Sequence, residues 1–120
     1  WNSKDPEKFM NPSVNKIPLF IGESSQFYLW KDEEKNHFLR TNEVLWDIVQ
    51  NGVNLAINSE GMVEDRKSLT ETQKQDYKNH HKAKYMMMQT ISQAEFNKLS
   101  ETSTTKAIYE SLCDLYERSS

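Results

Sequence analysis

The chain has 120 residues, enough for one domain with a single hydrophobic core. Its 18 acidic residues outnumber its 15 basic ones, and the net charge of −3 argues against a domain that binds nucleic acid chiefly through electrostatics. The single cysteine, Cys113, excludes a disulfide within the chain, and no apolar run reaches the roughly 18 residues that a membrane helix needs. These features predict a protein of a reducing compartment, cytoplasmic or nuclear, that does not enter membranes.

Residues 1–16 predict a flexible or extended leader, because two prolines stand among polar residues with no helical or strand period. The same residues lack the apolar stretch of a signal peptide. The domain itself is expected over 17–120. Its first feature is a short apolar run, 19–21, which we expect to lie extended against the core and to end at Gly22.

A first helix is predicted over 25–40, where bulky residues recur at helical spacing. The buried stripe of this helix is expected to contain Phe27, Trp30 and Phe38. Glu34 falls in the same stripe and interrupts it. For the short acidic run Glu33-Glu34 we expect a solvated helix face rather than acid–base chemistry.

A second helix is predicted to begin after Thr41 or Asn42, since either side chain can cap it. Gly52 is well placed to end it in a left-handed turn. The apolar face is expected to consist of Val44, Leu45, Ile48 and Val49, with Trp46 at its flank. The stretch that follows, 53–68, mixes Asn, Ser, Gly and charged residues, which predicts the longest loop of the domain.

A long third helix, 71–91, is predicted from Thr70 and Gln73, which have the spacing of a capping box. Its inner stripe is expected to hold Tyr77, His81 or Lys84, Met87 or Met88, and Ile91. The adjacent residues His80-His81 point about 100° apart on a helix and therefore cannot chelate one ion. We expect one of them at the core edge and the other in solvent.

Two further helices are predicted from capping signals. Ser92 and Glu95 repeat the capping-box pattern and open a short helix. That short helix is expected to contain Phe96 and Leu99. Ser103 or Thr104 caps the final helix, whose apolar face is expected to contain Ile108, Leu112, Leu115 and Tyr116, widened by Tyr109. We expect Cys113, at the border of that face, to be a buried, inert thiol. The whole pattern predicts an all-α domain, a small bundle of about five helices.

No catalytic constellation is visible in the sequence. None of the three glycines forms a phosphate-binding loop, so we expect no enzymatic activity, no cofactor and no metal. Met86-Met87-Met88 cannot all face one way on a helix, and core filling is favoured over an adaptable binding groove. A small basic patch, formed by Lys78, Lys82 and Lys84, predicts at most a weak contact with RNA phosphates, because aromatic residues are sparse around it.

Two ordered stretches of the sequence carry a family resemblance. The first runs through Ile17-Pro18-Leu19-Phe20-Ile21-Gly22-Glu23, Phe27, Trp30-Lys31-Asp32, Phe38-Leu39 and Leu45-Trp46-Asp47-Ile48-Val49 to Gly52. The second runs through Leu69-Thr70, Gln73-Lys74, Lys78-Asn79-His80-His81-Lys82-Ala83-Lys84, Ile91-Ser92, Glu95-Phe96, Thr105-Lys106-Ala107-Ile108 and Ser111-Leu112 to Tyr116-Glu117. In this order the set resembles the N-terminal, capsid region of the Gag polyprotein of plant copia-type LTR retrotransposons, over residues 17–118.

The resemblance implies a structural protein whose copies associate with one another into a particle shell. In that family a second helical capsid domain and an RNA-binding zinc knuckle follow this region. Fifteen residues, which we name the signature positions, are expected to form the core of such a domain. They are Phe20, Gly22, Phe27, Trp30, Leu45, Trp46, Ile48, Val49, Tyr77, Ala83, Ile91, Phe96, Ile108, Leu112 and Tyr116.

The sequence departs from the family pattern at a few points. Glu33-Glu34 stand where the family tends to have a basic residue and then an apolar one, and Arg118 replaces the usual glycine. Met10 matches a family-type start, with 1–9 upstream of it. These departures leave an alternative open, a domesticated or decayed Gag fragment that acts as a helical protein-binding module for a host protein.

Overall fold

The computed structural model describes residues 19–118, and five α-helices carry the fold of this part of the chain. They are α1 (Ser24–Thr41), α2 (Glu43–Asn51), α3 (Glu71–Met88), α4 (Gln93–Phe96) and α5 (Thr105–Cys113). A 3-10 turn, Arg66–Ser68, precedes α3, and a π-helical turn, Asp114–Arg118, continues α5. The predicted all-α bundle is confirmed. The predicted leader 1–16 and the family-type start at Met10 lie outside the described residues.

The helix ends follow the predicted capping residues closely. Asn42, not Thr41, caps α2, because its side chain accepts a hydrogen bond from the Val44 N–H at 2.9 Å. Gly52 follows α2 with a φ of +77° and a ψ of −169°, so the helix ends where it was predicted to end, but in an extended conformation instead of the predicted left-handed turn. At α3 both bonds of the predicted capping box are present, the Gln73 N–H to the Thr70 hydroxyl and the Thr70 N–H to the Gln73 side chain.

The end and the inner stripe of α3 differ from the prediction. The helix ends at Met88 instead of 91, and Ile91 lies in an isolated parallel β-bridge with Phe20. The buried stripe contains Tyr77, His80, Ala83 and Met87. The expectation of His81 or Lys84 in this stripe is therefore wrong. The stripe advances by steps of three and four residues along the helix, and this spacing brings His80 inward and leaves Met88 exposed.

The last two helices also depart from the prediction in detail. The Ser92 hydroxyl accepts from the Glu95 N–H at 3.2 Å, but the Glu95 side chain is buried and bonds elsewhere, so only half of the second capping box forms. Thr104, not Ser103, caps α5. Leu115 was expected in the core but is exposed, because the π-helical turn changes the winding after Cys113. Cys113 itself is buried, as predicted.

One hydrophobic core joins the helices. It takes buried side chains from α1, α2, α3 and α5 and from the two residues of the Phe20–Ile91 bridge. Phe96 and Leu99 pack against it while partly buried. On α2 the prediction of Val44 as a core residue is wrong, since it lies exposed in the first turn. Trp46, expected at the flank, is buried between Phe38 and Tyr109, with ring centroids 6.2 Å and 5.8 Å away.

The variants Trp46→Ala and Trp30→Ala should each have a free energy of unfolding lower by roughly 3–5 kcal/mol, because the rings around a buried indole cannot fill the space that it leaves. Chemical denaturation followed by circular dichroism measures the loss. Tyr85→Ala, at a side chain that is 65% exposed, is the control and should change the value by less than ~0.5 kcal/mol. A loss below about 1 kcal/mol at either tryptophan would contradict the burial of its indole.

Candidate functional site

An aromatic cluster gathers the N-terminal described segment, α1 and the π-helical turn. The ring centroid of Phe20 lies 5.4 Å from that of Phe27 and 4.9 Å from that of Tyr116. Trp30 stacks on Phe27 with centroids 5.7 Å apart. Such pairs stabilise a core beyond the area that they bury. Tyr109 extends the cluster toward α2, since its ring lies 6.4 Å from that of Trp30.

The signature positions occupy this core almost completely. Twelve of them are buried, while Gly22, Phe96 and Tyr116 are partly buried. Only two lie outside the common hydrophobic core, Gly22 at its edge and Tyr77 on the outer half of α3. Tyr77 instead bonds a loop, since its hydroxyl accepts from the Val63 N–H at 3.1 Å. The sequence resemblance therefore selected residues that pack together, not a chemical site.

Thr90 links three separate stretches of chain. Its carbonyl oxygen accepts from the Phe20 N–H at 2.9 Å and from the Trp30 Nε1–H at 3.1 Å. The Ser92 N–H in turn donates to the Phe20 carbonyl at 3.0 Å. These bonds fasten the segment before α1 and the side of α1 to the turn after α3. This role of Thr90 was not predictable from the sequence, because a threonine in a polar joint carries no signal of this kind.

Glu34 is fully buried, and the expectation of a solvated Glu33-Glu34 run is wrong for this residue. It lies one turn after Trp30 and one turn before Phe38, so helical spacing places it in the core whatever its charge. Its Oε2 lies 2.6 Å from the Thr90 hydroxyl, and its Oε1 has no hydrogen-bond partner among the described residues. Burial raises the pKa of the Glu34 carboxyl to about 8, although the bond with the Thr90 hydroxyl acts in the opposite direction.

A second buried carboxylate, Glu95, explains the signature glycine. The Tyr116 hydroxyl donates to its Oε1, and the Lys98 ammonium lies 2.7 Å from its Oε2. Burial raises the pKa of Glu95, but the bonds from Lys98 and Tyr116 outweigh burial and leave this pKa below its usual value. Gly22 has a φ of +96°, and a Cβ at this position would overlap the Glu95 carboxylate. Glycine is thus required here by both backbone conformation and space.

His80 holds the loop between α2 and α3. Its Nε2 lies 3.0 Å from the carbonyl oxygen of Gly61, and its Nδ1 has no described partner. Its ring stacks over Tyr77 with centroids 6.0 Å apart. Burial lowers the pKa of His80, the Gly61 carbonyl opposes this, and nearby His81 and Lys84 lower it further. One histidine is thus buried, as predicted, but His81 is half-buried rather than solvated, since its ring centroid lies 4.6 Å from that of Tyr77.

The basic residues of α3 differ in exposure. Lys78 and Lys82 are exposed, whereas the Lys84 ammonium reaches the Ser103 carbonyl at 3.4 Å, and burial lowers its pKa. Lys78 instead lines an open cleft of about 470 Å³ at the start of α3, and we name this the basic cleft. Its other cationic residues are Arg66, Lys67 and Lys74, and Glu71 is its one acidic residue. This cleft was not predictable from the sequence, because its cations come from two separate segments.

An apolar patch surrounds the start of α1. Leu19 and Leu29 are 50% and 58% exposed, and together they flank a cavity of about 160 Å³. Phe20, Trp30 and Gln26 complete its lining. We name the surface formed by these five residues the apolar patch. Two exposed leucines beside the buried rings of Phe20 and Trp30 are typical of a surface that contacts another protein.

Within residues 19–118, no group of three or more His, Cys, Asp or Glu side chains is arranged so that it could hold a metal ion. Within the same residues no helix has the length and apolar character needed to cross a membrane. Comparison of the chain with protein-family models, with curated proteins and with solved structures found no match. The site must therefore be interpreted from its own residues.

Replacing Gly22 by alanine should lower the free energy of unfolding by about 1–3 kcal/mol more than replacing Gly52 does, because only the side chain at Gly22 overlaps a buried group, the Glu95 carboxylate. Gly52→Ala is a matched control: its φ is also positive, but its Cβ would only touch the Lys106 side chain at 3.5 Å. Thermal and chemical denaturation measure both. Equal losses at the two positions would show that the contact with Glu95 adds no constraint.

The contribution of His80 to stability should fall as the pH drops below the ordinary histidine pKa of 6.5, because unfolding lets His80 take up a proton that the buried ring resists. This contribution is fully present above pH 6.5 and is lost on the acid side. His80→Gln removes the titrating group while keeping a donor for the Gly61 carbonyl. Denaturation of both proteins between pH 5 and 7 gives the difference between their free energies of unfolding. The unchanged chain should lose stability relative to the variant as the pH falls below 6.5, and a difference that does not vary with pH would contradict the assignment to His80.

Proposed function

We propose that this chain is a structural self-association domain of the Gag type, capsid-like and without enzymatic activity. Two lines of support carry the proposal. Most of the ordered signature positions, quoted above for their resemblance to copia-type Gag, belong to the hydrophobic core or pack against it. The surface offers an apolar patch beside that core, and a patch of this kind suits protein–protein contact.

The observation that carries most weight is the apolar patch itself. Leu19 precedes α1 and Leu29 lies on it, and the aromatic cluster and the Thr90 carbonyl hold both elements in place. A rigid support means that little conformational entropy is lost when the patch is covered. The partner that we propose is a second copy of this chain.

Weak contacts are sufficient for this function. A shell contains many copies, and symmetric repetition multiplies an interface whose single contact is small. The apolar patch consists of only a few side chains and can bury only a small area, so we expect an isolated pair of domains to associate weakly and in a concentration-dependent way.

Leu29→Glu should abolish self-association without unfolding the domain, because it places a charge on the exposed patch while the core stays intact. Sedimentation velocity over a wide concentration range at physiological salt measures association, and circular dichroism checks the fold. Tyr85→Glu, at an exposed residue on α3, is the control and should associate like the unchanged chain. A chain that stays monomeric at the highest concentration, or that associates equally well with Glu at 29, would argue against the proposal.

A second candidate is a helical module that binds a different protein, as in a domesticated Gag fragment. The basic cleft favours it, since four cations around one carboxylate suit an acidic segment of a partner better than a random surface would. The same sedimentation experiment separates the two functions. A chain without homotypic contact that forms a stoichiometric complex with an acidic peptide, weakened by Lys78→Glu, would select the module.

A further inference from the structure

The Thr90 hydroxyl makes two short contacts with oxygen atoms. It lies 2.7 Å from the carbonyl oxygen of Met87 and 2.6 Å from Oε2 of Glu34. A hydroxyl has one proton to donate, and a backbone carbonyl can only accept. Both contacts are therefore hydrogen bonds only if the second proton comes from the Glu34 carboxyl.

The protonated carboxyl completes a chain of donors. Glu34 then donates to the Thr90 oxygen, and Thr90 donates to the Met87 carbonyl. When Glu34 is ionised, the Thr90 proton must turn to the carboxylate, and the Met87 carbonyl then faces an oxygen lone pair at 2.7 Å. The ionised state also leaves Oε1 charged and without a described partner in the core.

The surroundings of Glu34 offer no compensating cation among the described residues. From the end of α3, Thr90 is the polar group that faces it. From α5 the Tyr109 hydroxyl faces it; burial raises the pKa of Tyr109, and the charges of Cys113, Glu117 and Glu34 add to this. On α1 itself, Lys31 is engaged by Glu117. Near the end of α1, the pKa of His37 is lowered, mainly by burial and to a smaller extent by the charge of Arg40.

From this geometry we propose that Glu34 and Thr90 form a proton-controlled latch between α1 and the turn after α3. Protonated, Glu34 holds that turn in the conformation that accepts Phe20 and Trp30. Loss of the proton breaks the donor chain and loosens the same turn. The latch is thus a conformational device within the core, and it stands independently of the proposed self-association.

The direction of the pH effect follows from burial. An unfolded chain ionises Glu34 near its ordinary pKa of 4.5, whereas the folded chain keeps the proton up to about pH 8. The stability that the protonated carboxyl allows is therefore complete below pH 4.5, declines as the pH rises through this interval and levels off above it. One group titrating in this way changes the unfolding equilibrium constant by up to about tenfold for each pH unit.

Glu34→Gln tests the latch, because an amide can donate to Thr90 at every pH. Denaturation of both proteins from pH 4.5 to 9 gives the ratio of their unfolding constants. We expect this ratio to grow by up to about tenfold per pH unit from pH 5 to 8, with the variant the more stable protein at pH 8. Glu33→Gln, at the neighbouring carboxylate, is the control and should follow the unchanged chain. Parallel profiles, or a variant less stable than the unchanged chain at pH 8, would overturn the proposal.

Amide hydrogen exchange tests the loosening of the turn. The Phe20 and Ser92 N–H groups donate across the junction, so both should lose protection at pH 8.5 in the unchanged chain and keep it in Glu34→Gln. Equal protection in the two proteins would overturn the latch. The unchanged chain supplies a test without any substitution: the carbon NMR signal of the Glu34 carboxyl should titrate near pH 8, and a midpoint below pH 5 would refute the proposal.

Discussion

The Thr90 carbonyl is the constraint on which the arrangement of the domain depends. Two donors from different parts of the chain, the Phe20 N–H and the Trp30 indole, converge on this one oxygen. A buried carbonyl with both lone pairs used fixes the distance and the rotation of the elements that bond to it. The aromatic cluster can pack around Phe20 only because the backbone of Phe20 is held there. The packing of the core and the position of the apolar patch follow from this junction.

Local chemistry was predictable from the sequence, and the junction was not. Caps such as Asn42 and the Thr70 capping box involve residues two or three positions apart, so their spacing is visible in the sequence. Glu34 was correctly placed in a helical stripe, but its charge suggested solvent. Its partner, Thr90, is 56 residues away, and no local pattern encodes a contact over that separation.

The surface was predicted less well than the core. Hydrophobic periodicity identified the residues that pack, because burial is what creates the period. It says little about which exposed residues meet. The basic cleft combines the 3-10 turn at Arg66–Ser68 with the first turns of α3, and the apolar patch combines Leu19 with Leu29. Each surface requires knowledge of how two segments lie side by side, which only the fold supplies.

The contact between Phe20 and Tyr116 brings the early and late parts of the described chain to the same place. The same closeness delays folding, because a contact between residues so far apart must await synthesis of the last helix and closure of a long loop. The core of this domain is therefore completed only when its last helix is present, and the domain is unsuited to folding piece by piece as it is made.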